Sequence, residues 1–375
     1  MMFLRLNQER MDQLTPENIS TYVKQSQEAL ATESPTITSN TSFIKQTSGP
    51  NNYASLAPYY HPDPTSENGF PYIRMDGVIN RNNMSSRTSD GMYLSRLHSL
   101  LTPLCILYYY TKSEDYATRA ISIIDKFFIN EQTKMNPSLT YSGMVIGNSM
   151  EDLRIRGATI DAHRLSIVTD LIQLLKTSTS WTIEIENAMV LWFDSLSDWF
   201  KTHPRGILQN TYNHNIKTSY MKQLCSYLCF CGKTQEAKNY LEDNIRSMLS
   251  AQIDVDGRQV LEMERTRTRH YSDFNLKLLV ELATISKSLG VDIWNYKDEN
   301  GRGSIQQAMR FMCYYYENPR EWNTSMEEKN SSATRDWLQC GIEIYKEDQN
   351  LADVNNLIRI PNFIWVPDYI CLPSQ

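Results

Sequence analysis

From residue 92 onward, apolar residues recur at helical spacing, in segments that come two at a time. "MYLSRLHSLLTPLCILYYYT" and "SEDYATRAISIIDKFFI" make the first pair, with Pro103 expected to kink the first helix. Residues 160–176 pair with 183–201, 215–231 with 234–252, and 273–289 with 303–316, and a last helix covers 332–346. No stretch shows convincing strand alternation. A chain of this pattern folds as successive antiparallel helical hairpins, in an open solenoid or a closed toroid. The hairpins differ in sequence, which argues against a solenoid with recognisable repeat signatures.

Ahead of the hairpins, "TPENISTYVKQSQEALA" predicts a helix with Thr15 as N-cap and Pro16 at the first helical position. Residues 32–91 then form a long polar stretch, and loops of that length are usually functional or mobile.

Charge and cysteine usage narrow the function. The net charge of −6 disfavours a general role on nucleic acid or an anionic membrane, both of which need a broad basic surface. No apolar run approaches ~18 residues, so no membrane span is expected. The seven cysteines, Cys105, Cys225, Cys229, Cys231, Cys313, Cys340 and Cys371, are odd in number and irregular in spacing. They read as reduced and mostly buried thiols. No metal and no cofactor is expected, because no His, Cys, Asp or Glu set has ligand spacing. The N-terminus lacks a signal-peptide apolar core, so the protein is periplasmic or secreted if a leader has been removed and cytoplasmic otherwise.

Four blocks carry chemistry-bearing residues. "NNYASLAPYYHPDPTSENGFPYIRMDGVIN", residues 51–80, presents Tyr59, Tyr60 and His61 together; it reads as a surface loop with an aromatic cluster or as a lid. "KMNPSLTYSGMVIG" turns at Asn136-Pro137 and then offers Tyr141, or is simply a loop between helices. "YNHNIKTSYMKQ" places Asn213 and His214 at a helix start, with Lys217 one turn on; the plain alternative is a capping Asn beside a surface His. "RTRTRHYSDFNL" puts Arg265, Arg267 and Arg269 on one side if extended. Ser272 is then the N-cap of the next helix, and Tyr271 lies at its anion-favouring mouth. Otherwise the run is a solvated basic loop balanced by Glu262 and Glu264.

In order, "YASLAPYYHPDP", "GFPYIRMDG", "MNPSLTY", "TID" at 159–161, Asn213-His214 and "EMERTRTRHYSDFNL" resemble the motifs of the alginate lyase family, polysaccharide lyase family five. The resemblance runs from about residue 50 to 290. It departs at Tyr60, where the family usually has Trp, at Gly143, where Gln is common, and at Asn215–Thr218, where Gly and aromatics are common.

The resemblance implies an all-α, incomplete (α/α) toroid spanning 1–375 as one domain, with 51–80 as its lid. It also implies metal-independent β-elimination on a uronic-acid polysaccharide, most simply mannuronate-rich alginate. By matched position, Asn213 and His214 hold the substrate carboxylate, Arg265 adds charge beside the phenol, and Tyr271 takes the C5 proton and returns it to O4. His214 is the other base for a sugar whose C5 proton lies on the opposite face. Tyr59, Tyr60, His61, Asn136, Tyr141, Lys217, Arg267 and Arg269 are expected to bind the anionic chain.

Three alternatives stand beside this: a lyase for glucuronan or another polyuronate, a uronate hydrolase of the same fold using Asp161 and Glu262, and a non-catalytic helical interaction protein. The oligomeric state is left open.

Overall fold

The computed structural model describes residues 16–85, 88–149, 159–318, 322 and 334–358. These fall into two compact units. The first is built from 16–211 with 226–233, and the second from 212–225 with the residues after 233.

The first unit opens with α1 (Pro16–Ala31), and Pro16 stands at its first position as the sequence predicts. Thr15, its expected cap, lies outside the described residues. A short helix α2 (Ile44–Ser48) leads into β1 (Ala54–Leu56), and a tight ribbon follows, β2 (Tyr60–His61) antiparallel to β3 (Ile73–Arg74). Next come α3 (Gly91–Thr111) and α4 (Glu114–Ile124). Pro103 lies inside α3, which continues past it to Thr111. Leu94, Leu97, Leu101 and Leu104 bury one stripe of α3, the spacing that makes this segment helical.

Helix α4 does not end as an ordinary helix. Its last turn widens into a π turn over Asp125–Ile129. The extra residue per turn lets the adjacent Phe127 and Phe128 both bury. Phe128 packs edge-on to Trp192, at 4.7 Å between ring centroids. Strand β4 (Tyr141–Met144) then pairs in parallel with β1. The unit continues with α5 (Leu165–Leu175), α6 (Ile183–Thr202) and α7 (Pro204–Asn210).

The second unit holds the start of α8 (Asn215–Phe230), then α9 (Thr234–Gln252), the four-residue α10 (Val260–Met263), α11 (Thr268–Ser288), α12 (Ile305–Glu317), α13 (Thr334–Ile344) and α14 (Gln349–Ile358). Beneath its functional residues, polar side chains lock α8, α9 and α11 together. The Asn275 side-chain amide donates to Gln252 and Gln259 at 2.8 Å each, and Gln252 bonds Thr218 at 3.0 Å. Deeper, Lys222 of α8 and Glu281 of α11 form an ion pair at 2.6 Å with both side chains fully buried.

Four expectations need correction. The helix over 332–346, expected to be the last, is followed by another, α14. Strands do occur, although each is only two to four residues long, too short for an alternation to register. The 32–91 stretch is not wholly a surface loop, because Ile37, Ile44, Tyr53 and Ala54 are core residues. Finally, α11 begins at Thr268, five residues before the expected start. Ser272 is therefore a buried interior position and not a cap. The six described cysteines are free thiols; Cys371 lies outside the described residues.

Candidate active site

In the first unit, β1–β4 pairing joins two of the sequence blocks. Ala54 stands opposite Tyr141. The Asn136 N–H donates to Asn51 O at 2.7 Å, and its side-chain amide donates to Asn52 Oδ1 at 3.0 Å. The π turn sets the height of this segment, since Met135 N–H donates to Phe127 O at 2.8 Å and the Trp192 indole N–H to Met135 O at 2.7 Å. Gly143 has φ +65°, and its N–H donates to Ser55 Oγ at 2.8 Å. A glutamine in that left-handed conformation would be strained, which accounts for glycine at this departure from the family pattern.

Asp161 is the hub of this half. One carboxylate oxygen accepts hydroxyls from Tyr53 at 3.2 Å, Ser55 at 2.5 Å and Ser142 at 3.0 Å. Burial raises its pKa, and these donors pull it partly back. Arg205 donates to Ser142 O at 2.6 Å and also to Thr140 O, which fixes the strand from its other side.

Tyr59, Tyr60 and His61 are half-buried and held by the main chain around them. Tyr59 O accepts Met75 N–H at 2.8 Å, Tyr60 O accepts the side chains of Asn80 at 2.9 Å and Asn83 at 3.1 Å, and His61 Nε2 lies 3.1 Å from Val78 O.

The second unit gathers the remaining predicted residues. Asn213 is exposed on the turn before α8, and His214 is half-buried with its ring stacked on Tyr212 at 5.0 Å. His214 Nδ1 accepts the Ile216 N–H at 3.4 Å. That contact uses Nδ1 as an acceptor and leaves Nε2 as the ring's other polar atom. Lys217, half-buried one turn on, has a pKa lowered by burial.

On the other segment, Tyr271 sits in the first turn of α11 and is 6% exposed. The Arg265 guanidinium lies over its ring, 3.6 Å from the centroid. His270 meets the same ring edge-on at 5.3 Å. Burial, then Arg267 and Arg265, push His270 down to about 4, so it is neutral at working pH.

The three arginines are not aligned on one side. The turn into α11 sends Arg265 to Tyr271, places Arg267 at the helix N-cap, and buries Arg269 with its guanidinium 4.2 Å over the Tyr316 ring. Tyr316 in turn donates its hydroxyl to Asp273, which also accepts the Trp337 indole N–H at 3.2 Å.

Two residues inside the last matched motif were given no role in the lyase reading. Glu262 is 2% exposed, and its carboxylate accepts both the N–H and the side-chain amide of Asn215, at 2.7 to 2.9 Å. Burial raises it to about 7 against the pull of those bonds and of Arg265. Its sequence signal was that of a carboxylate beside the basic run, a hydrolase candidate and a charge balance for the arginines. His270 carried none beyond being next to Tyr271.

Among the described residues no helix is long and apolar enough to cross a membrane, and no group of three or more His, Cys, Asp or Glu is placed to hold a metal ion.

A fold of successive helices is that of a class, the helical polysaccharide lyases, and the comparisons agree. The family model described as alginate lyase matches residues 36–322. An alginate lyase from Bacteroides ovatus superposes with a TM-score of 0.84 at 25% identity, covering 95% of this chain and 94% of that one. Alginate lyase A1-III from Sphingomonas species A1 gives 0.56 at 14% identity, covering 89% and 88%. A variant of A1-III complexed with a tetrasaccharide gives 0.58 at 14% identity over the same shares. Comparison with curated protein sequences gives no match. The chain belongs to the alginate lyase family. It is an enzyme, a polysaccharide lyase, and its fold is all-α, of the α/α toroid class, as the family resemblance implies.

Proposed function

We propose that the enzyme cleaves a mannuronate-rich polyuronate by metal-independent β-elimination in the second unit, with Tyr271 as both base and acid. The observation that carries this reading is the Arg265 guanidinium stacked 3.6 Å over the Tyr271 ring. Positive charge there favours negative charge on the ring when the phenol loses its proton.

The chemistry needs more than a base. A uronate's C5 proton is hard to remove while the adjacent carboxylate carries full charge, so that charge must be held. Asn213 and His214 supply the donors, His214 through Nε2. Tyr271 Oη takes the C5 proton, the C4–C5 double bond forms, the C4–O4 bond breaks, and the proton passes to the leaving O4. In a mannuronate the C5 hydrogen and O4 lie on one ring face, so a single group serves both transfers.

Lys217 and Arg267 add positive charge for the polyanion, and Arg269 stiffens Tyr316 behind them. In the first unit, Tyr59, Tyr60, His61, Asn136 and Tyr141 form a sugar-binding surface. A hydrolase would need two available carboxylates. Glu262 is instead enclosed by Asn215, and Asp161 is occupied by three hydroxyls.

The test is Tyr271→Phe, assayed by the ultraviolet absorbance of unsaturated product on polymannuronate, polyguluronate and polyglucuronate. Turnover should vanish while the folded protein still binds oligomannuronate. Near-parental product formation by this variant sinks the assignment.

A further inference from the structure

Helix α8 begins without a local side-chain acceptor for its first N–H. That N–H, on Asn215, is satisfied from 47 residues away by Glu262 Oε1 at 2.7 Å. The Asn215 side chain then donates to both oxygens of the same carboxylate, at 2.9 and 2.8 Å. Glu262 also acts through its main chain, because its carbonyl accepts the Arg265 N–H at 3.2 Å. One residue thus grips both segments that carry the chemistry. Its side chain holds the start of α8, directly behind Asn213 and His214, and its backbone sets the turn that delivers Arg265 to Tyr271.

We infer that Glu262 is a positioning residue, which fixes the spacing between the carboxylate-holding pair Asn213–His214 and the Arg265–Tyr271 pair. This rests on the function proposed above. Glu262 is 2% exposed, so it acts through Asn215 and the turn and does not touch substrate.

Two features favour a role beyond packing. An apolar residue could fill the site without the cost of a buried carboxylate. The bonding is also directional, because Asn215 offers only donors here and only an acceptor pair satisfies them.

The experiment is a reciprocal exchange in the full-length enzyme, read as kcat and KM on polymannuronate. Glu262→Gln turns one acceptor into a donor facing the Asn215 amide. Asn215→Asp sets a second carboxylate against Glu262. Each should lower kcat by about 10- to 100-fold, the scale of a 1 Å misplacement, with KM within about threefold of the parent.

The double exchange restores complementarity. The introduced amide oxygen accepts the backbone N–H, and its NH2 donates to the introduced carboxylate. The double variant should recover kcat to within about threefold of the parent. Parental kcat in both single variants overturns the inference, and so does a double variant as slow as the singles. Should Glu262→Gln fail to fold, Asn215→Ala decides, since it keeps the backbone bond to Glu262; parental kcat there also overturns it. An active Tyr271→Phe enzyme would instead overturn the proposed function, so the two failures are separable.

Discussion

Glu262 should leave a measurable mark on stability as well as on rate. In the folded enzyme burial raises its pKa to about 7, and the Asn215 bonds and the Arg265 charge only partly oppose this. In the unfolded chain a glutamate titrates near 4.3. Between these values the folded state holds a proton that the unfolded state has released. Stability therefore falls as pH rises through this window and levels off above about pH 7. The gap of about 2.7 units, at about 1.36 kcal/mol each, amounts to roughly 3–4 kcal/mol.

Glu262→Gln has no proton to lose at this position, so it should lack this slope. Urea unfolding of parent and variant, at intervals from about pH 4.5 to 7.5, gives the difference. The variant should gain about 3–4 kcal/mol relative to the parent across that range. Other perturbed groups, such as Asp161 and Asp90 raised by burial and His270 lowered to about 4, are common to both proteins and cancel. A difference that stays flat with pH would refute the reasoning.

Arg265→Lys should cost at least about tenfold in kcat/KM, roughly 1.4 kcal/mol, because a point charge cannot stack on the Tyr271 ring as a planar guanidinium does; steady-state kinetics checks this, and near-parental rates count against the stack. Lys222→Met should destabilise by about 3–5 kcal/mol by leaving Glu281 buried and alone, while the paired Lys222→Met, Glu281→Leu change should cost far less; thermal unfolding of the three proteins decides. Chelation followed by dialysis should leave activity on polymannuronate unchanged, and restoration of a lost activity by a divalent ion would contradict the metal-independent reading.

Sequence periodicity located the long helices well because each carries a continuous apolar stripe, as Leu94 to Leu104 do in α3. It missed α2, α7 and α10, which are five, seven and four residues long and have no room for such a stripe, and it missed the ten-residue α14 beyond the helix it took as last. The start of α11 was misjudged for a physical reason. "RTRTRH" alternates like a strand, but Arg265–Arg267 form the turn that Glu262 O and the Arg265 N–H close, and α11 starts at Thr268, whose Oγ1 accepts the Trp322 indole N–H at 2.8 Å. Arg265 beside Tyr271 was anticipated only through the family resemblance, by matched position. That Arg269 would go to Tyr316 could not, because Tyr316 lies on another helix far along the chain. The capping of α8 by Glu262 was equally hidden, being a contact between a helix start and a distant turn.

The Asp161 hub has a consequence for how the enzyme is made. Tyr53 and Ser55 reach this carboxylate across 108 and 106 residues of chain. At about 5–20 residues per second of synthesis, the β1 segment waits roughly 5–20 seconds for its partner to be translated. Parallel pairing with β4 must wait in the same way, because such a pair has no hairpin route. During that interval the nascent chain is exposed to misfolding and proteolysis, and the Ser-, Thr- and Asn-rich run before Tyr53 keeps it in water without exposing a long apolar strand. A ribosome stalled before residue 161 would therefore release a chain with its aromatic segment unmoored. Degradation of such stalled chains should begin in that segment.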